Sequence, residues 1–136
     1  MIHPTKIGVI IREDLHDWQK LNVTAFLSAG VAYANPDCKG QAYTDASGII
    51  YNSLFSQPVF VYAASAEHLQ RTLARAQSRE VTVSVYDTSM FTTDNDVDNR
   101  GVVASKATDV LDLAGIAFRA DSKTFDKIVN GLKFHP

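Results

Sequence analysis

The stretch KIGVIIREDLHDWQKLNVTAFLSAG, residues 6–30, limits the possible folds most. Ile7, Val9, Ile10 and Ile11 form a nearly continuous branched run, the pattern of a central strand covered on both faces. The run breaks at charged residues and passes into a long apolar segment, residues 18–34, for which Asp17 is the expected N-cap. A strand that must be covered twice, followed at once by an apolar helix, predicts a sheet flanked by helices. In such folds ligands sit at the mouth between a strand's C-terminal end and the next helix. Asp14, His16, Lys20 and Asn22 fall there. Within the helix, Trp18, Leu21, Ala25, Ala29 and Ala32 make one stripe, and Val23, Phe26 and Gly30 a second. The helix is therefore expected to be largely buried, with Ala25, Ala29 and Gly30 letting it lie close to a strand.

Turn formers cluster over residues 35–47, and Tyr43, Thr44 and Asp45 are secondary candidates there, because long loops often carry function. PVFVYA, residues 58–63, reads as a second strand. Ser65 then caps a helix with Ala66, Leu69, Leu73 and Ala76 on one face and Arg71, Arg75 and Arg79 on another. That arginine stripe suits phosphate, although a solvated charged face is the commoner reading. A third strand over residues 81–86 ends at Asp87. The polar run TSMFTTDNDVDNRG follows, then a fourth strand around 111–118 and a final helix capped by Asp121 or Ser122. This order predicts one domain over residues 1–136, a three-layer α/β/α sandwich with a mixed, mostly parallel sheet of about four strands.

Lys plus Arg number 13 against 15 for Asp plus Glu, a net charge of −2, so no global field draws the chain onto nucleic acid or an anionic membrane. No apolar run reaches the ~18–20 residues of a membrane span, and there is no secretory leader pattern. The single Cys38 has no internal disulfide partner, which fits a reducing cytoplasm.

The element order and both ends of the chain resemble the type 2 peptidyl-tRNA hydrolases, and more closely an uncharacterised bacterial group of that fold, domain of unknown function 2000. The hydrolase helix pattern Gly-Lys-Gly-Lys-x-Ala-Ala-Gln-x-x-His-Ala lies over residues 19–30. The Asp-Ala-Gly-x-Thr segment lies over 87–91, and the closing Leu-Lys over Leu132 and Lys133. Lys20 matches the first lysine, whereas Asn22 stands at the second, and Phe26 and Ala29 at the glutamine and histidine. Asp87 fits the aspartate; Phe91 stands at the threonine, with Thr92 beside it. The resemblance thus implies a retained fold with peptidyl-tRNA hydrolysis lost, since an asparagine amide replaces a cation poorly at a phosphate or an oxyanion. The similarity to the uncharacterised group rests on residues 21–27, on Tyr86 through Met90 and Phe91 to Asn99 and Arg100, and on the closing LKFHP.

The remaining constellations are weaker. Asp94, Asp96 and Asp98 alternate as in a calcium loop, but Asn99 stands where glycine is needed and Ser105 where glutamate is needed, so no metal site is expected. The histidines lack ligand spacing, there is no Gly-rich phosphate loop, and no cofactor is expected. The leading expectation is a small polar ligand bound between the mouth at residues 14–22 and the loop at 87–99. Asp14, His16, Lys20, Asn22 and Asn99 would bind it, with Asp87 and Thr92 as the catalytic candidates. Two alternatives stay open: a hydrolase of an ester or amide, such as a peptidyl- or aminoacyl-tRNA, using Asp87 and Thr92, and an interaction protein working as a homodimer.

Overall fold

The computed structural model describes residues 3–136. β1 (Thr5–Arg12) is the buried branched strand, fully enclosed from Ile7 to Ile11. It leads into α1 (Asp17–Ala34), whose N-cap is His16 instead of Asp17, the His16 N–H being met by the Gln19 side chain at 3.0 Å. A short two-stranded arm follows, β2 (Tyr43–Thr44) and β3 (Ile50–Tyr51). Then come β4 (Val59–Ala64), α2 (Ala66–Ser78), β5 (Ser84–Asp87), α3 (Asp96–Ala104), β6 (Leu113–Asp121), α4 (Ser122–Ile128) and β7 (Lys133–Phe134). Ser65 and Asp121 cap α2 and α4 through their side chains, as the spacing predicts.

The main sheet has five strands in the order β5-β6-β1-β4-β7. Only β1 and β4 pair in parallel; the other three pairings are antiparallel. The expectation of about four strands, mostly parallel, is corrected on both counts. β6 runs back beside β1 because the polar run after β5 contains α3, which returns the chain to the same edge. β7 is too short, at two residues, to show a period in the sequence.

Helices lie on both faces. Ile7, Val9 and Ile11 pack with Val23, Leu27 and Val31 of α1, while Ile10, Ile116 and Phe118 pack with Leu69 and Leu73 of α2 and Phe125 and Ile128 of α4. α1 comes closest over Gly115, where a Cβ would stand 2.9 Å from Val23 Cγ1 and 2.9 Å from Ile10 O. Gly30 serves the same approach on β5, since a Cβ there would collide with Ser84.

The expected burial of α1 is also corrected. Only Val23, Leu27 and Val31, spaced by four, are buried, and the stripe of Trp18, Leu21, Ala25 and Ala29 faces outward. The helix is apolar nearly all round, so periodicity alone cannot choose its inner face. The choice falls to the branched trio that fits against Gly115 and β1.

Candidate functional site

The C-terminal ends of β1, β4 and β5 and the start of β6 lie on one edge of the sheet, which brings Arg12, Asp87 and Asp112 together. Asp87 is completely buried, and its carboxylate is fully engaged. It accepts from Lys106 Nζ at 2.9 and 3.0 Å, from Ser89 N at 2.8 Å and from Asp112 N at 2.9 Å. Burial by itself would raise the Asp87 pKa, but the Lys106 ammonium and the two N–H groups outweigh it and hold the carboxyl below its ordinary value. Arg12 extends the network to Asp14 at 2.7 Å and Asp112 at 2.6 Å, and Thr88 Oγ1 donates to Asp112 at 2.5 Å. Together these contacts clamp the strand ends.

The neighbouring residue on β5, Tyr86, opens onto different chemistry. A cleft of about 800 Å³ runs between α1 and α3, floored by Val85 and Tyr86. Its wall is aromatic. Trp18 meets Phe91 edge to face at 5.7 Å between centroids, Phe26 meets Tyr86 likewise at 5.7 Å, and Tyr86 tilts against Phe91 at 5.1 Å. Its rim is amide-rich: Asn22 Nδ2 donates to Tyr86 Oη at 3.3 Å, and Thr93 Oγ1 donates to Asn99 Oδ1. Burial, opposed by that Asn22 contact, pushes the Tyr86 hydroxyl pKa up, so it stays protonated at neutral pH. Asn95 caps α3 by accepting from Asp98 N at 2.8 Å, and Arg100 pairs with Asp96 at 2.9 Å.

The profile described as protein of unknown function (DUF2000) matches residues 5–136. The chain belongs to the DUF2000 family. A solved structure of Atu0240, a protein of unknown function from Agrobacterium tumefaciens strain C58, is similar at 42% identity and a TM-score of 0.97. The match covers 99% of this chain and all of that one. Among curated proteins no relative matches.

In this DUF2000 chain the sequence candidates separate into three places. Asn22 and Asn99 meet at the cleft. Asp14 and His16 are exposed at the strand mouth, Asp14 held by Arg12, and Lys20 points to His135 Nε2 at 3.2 Å. Asp87 lies enclosed in the network. Thr92 is exposed and donates to Ser89 O at 3.0 Å, so Thr93, not Thr92, borders the cleft. Asp87 accepts from Ser89 N while Thr92 donates to Ser89 O, and the two side chains make no hydrogen bond with each other. Lys106, Trp18 and Phe26 were missing from the expected site. Lys106 sits 19 residues beyond its partner in a helix-ending segment and carries no sequence signal, whereas Trp18 and Phe26 were assigned to the core.

The other candidates also find structural employment. Arg75 donates to Asn130 O at 2.7 Å beyond the end of α4, and Arg79 turns back to Arg75 O at 3.2 Å, so the arginine stripe does not converge on one point. Asp45 shapes the arm's turn, accepting from Ser47 N, Ile49 N and Tyr51 Oη. Asp94, Asp96 and Asp98 lead into α3, and among the described residues no three His, Cys, Asp or Glu side chains are grouped to hold a metal. Burial raises the Cys38 pKa, which keeps its thiol protonated and unreactive. Among the described residues no helix is long and apolar enough to cross a membrane.

Proposed function

We propose that this protein binds a small molecule in the α1–α3 cleft, with a planar apolar body against the aromatic wall and a hydrogen-bonding edge toward Asn22, Thr93 and Asn99. The observation that carries this reading is the aromatic wall itself: Trp18 and Phe26 are each more than half exposed although they sit beside a buried Tyr86. A large apolar concave surface with a few convergent polar groups is the usual form of a small-molecule site. Asn22 and Asn99 orient the ligand; Asp14, His16 and Lys20 lie outside the cleft and have no contact with it in this reading.

Peptidyl-tRNA hydrolysis is absent in this reading, while the hydrolase-like fold is retained as the scaffold. The order of elements and the strand-to-helix mouth support the second part. The first is supported by the engagement of Asp87, by Asn22 in place of a lysine, and by the cleft's lining, which contains no histidine, cysteine, serine or lysine. The net charge of −2 argues against a nucleic-acid partner, and the buried lone thiol fits a reducing cytoplasm.

Trp18 is the only tryptophan and stands at the cleft, so its fluorescence reports occupancy directly. Titration with a panel of planar heteroaromatic metabolites is expected to give a saturable change that Asn22→Ala and Asn99→Ala weaken. A ligand that binds with equal affinity to both variants would remove the cleft assignment. Turnover of peptidyl-tRNA by the purified protein would overturn the non-catalytic part.

A further inference from the structure

We propose that the ligand of the α1–α3 cleft is a neutral lactam, a ring carrying a carbonyl beside an N–H, read by the Tyr86 hydroxyl and the Asn22 amide. The proposal rests on the cleft reading above and adds the chemistry of the ligand's edge. Tyr86 is the starting point. It is only 3% exposed, yet it floors the cleft. Its oxygen accepts from Asn22 Nδ2 at 3.3 Å, which uses a lone pair and leaves the hydroxyl proton. Among the described residues no group accepts that proton. Packing does not call for a hydroxyl here: a phenylalanine would make the same ring contacts with Phe26 and Phe91. What the hydroxyl adds is a donor at the floor of the cleft, and an enclosed donor is costly until an acceptor meets it.

Asn22 supplies the complement. Its Nδ2 is directed to Tyr86, and its Oδ1 has no donor among the described residues. A donor and an acceptor thus stand on adjoining side chains, both lining the cleft. A ligand that meets both presents an acceptor next to a donor, the edge of an amide held cis within a ring. A ring nitrogen alone would satisfy Tyr86 and leave the Asn22 oxygen desolvated without a partner. A plain hydrocarbon would leave both unmet, and a site with hydrogen-bonding groups of its own discriminates against such an analogue.

Charge decides between a neutral carbonyl and an acid. The ionised groups of the lining are Asp94, Asp96 and Arg100, and Arg100 is paired with Asp96 at 2.9 Å. Asp94 is met by the Asn95 amide at 2.9 Å and keeps its charge uncompensated within the lining. Lys106, just beyond α3, is held by Asp87. A carboxylate or phosphate entering the cleft would meet carboxylate repulsion with no free cation to offset it. A lactam carbonyl accepts as well from Tyr86 and carries no charge. The exposed Trp18 and Phe26 then cover the flat body to which the lactam belongs.

Three small probes titrated into the full chain and followed by heteronuclear NMR test the proposal. They are carbostyril, a lactam fused to a benzene ring; N-methylcarbostyril, in which the donor is blocked; and naphthalene, which has the body without the edge. Carbostyril is expected to shift the Asn22 side-chain amide and the Trp18 indole signals and to bind about tenfold tighter than either of the others, the scale of one neutral hydrogen bond. Tyr86→Phe is expected to weaken carbostyril about tenfold and to leave naphthalene unchanged, whereas a merely structural role for the hydroxyl would move both alike. Equal affinity for the three probes overturns the lactam and leaves the cleft reading standing. So does a Tyr86→Phe variant that weakens carbostyril no more than naphthalene. If no probe shifts any cleft signal, the cleft reading fails and this inference falls with it.

Discussion

Tyr86 and Asp87 are neighbours on β5, and they separate two polar regions of opposite character. Around Asp87 every oxygen has a partner, and the group is enclosed by Lys106, Ser89 and Asp112. Around Tyr86 the aromatic rings touch one another at their edges and leave an open cleft, with amides on the rim. A carboxylate at a strand end looks functional in a sequence, but its capacity here is taken up in holding the strand ends together. Capacity for a ligand remains where rings and amides lack full cover. The register shift between Tyr86 and Asp87 lets adjacent residues serve the two regions.

The largest expected effect is that of Asp87→Ala, which leaves the Lys106 ammonium without its partner and two N–H groups unmet. A loss of about 3–5 kcal/mol of stability is expected by urea unfolding, as for breaking other buried pairs. A loss below ~1 kcal/mol would show that the network does not hold the fold and would return Asp87 to the list of available groups. Lys106→Met should cost somewhat less, about 2–3 kcal/mol, since the Ser89 and Asp112 N–H groups remain on the carboxylate.

The same pair sets a pH dependence. Because the Asp87 pKa is lowered in the folded protein, the unfolded chain binds the extra proton between that value and its own, ~3.9. The contribution is complete above the unfolded value and is lost as pH falls through the folded one. In Lys106→Met the strongest cation is removed while burial persists, so the acid-unfolding midpoint should move to higher pH. An unmoved midpoint would mean that Lys106 does not set the charge of Asp87.

On the cleft side the stability effects are smaller and the binding effects larger. Tyr86→Phe should cost about 1 kcal/mol, the worth of the Asn22 contact to a buried hydroxyl. Trp18→Ala, at a side chain 59% exposed, should change stability by only about 0.5 kcal/mol. It should nonetheless weaken any cleft ligand at least tenfold by isothermal calorimetry, since it removes one wall. Equal affinity in the variant would erase the distinction between the two regions.

Several parts of this arrangement were legible from residues alone. The branched run of β1, the caps Ser65 and Asp121, and the concentration of polar residues at the ends of β1 and β5 all follow from local chemistry. Of the residues expected together, Asn22 and Asn99 both line the cleft, whereas Asp14, His16, Lys20 and Thr92 lie outside it. Their separation from the cleft has one cause: a polar side chain at a loop can turn to any of several partners within reach. Arg12, His135 and the Ser89 carbonyl captured Asp14, Lys20 and Thr92. α3 was missed because the opening of DVDNRGVVA reads as a polar turn, and its start depends on Asn95 accepting from Asp98 N.

The sequence by itself determined that the chain is α/β, that β1 is enclosed on both faces, and that helices begin at residues 17, 66 and 122 to within a residue. These follow from side-chain branching, period and capping, which act over a few neighbours. Only the tertiary structure decided that the sheet is mainly antiparallel in its pairings, which side of α1 is covered, and that Asp87 closes a network while Tyr86 floors a cleft. Those outcomes depend on which residues distant in the chain meet: Lys106 reaching Asp87, Val23 over Gly115, Phe91 against Trp18. No local pattern encodes a partner that lies beyond the next turn.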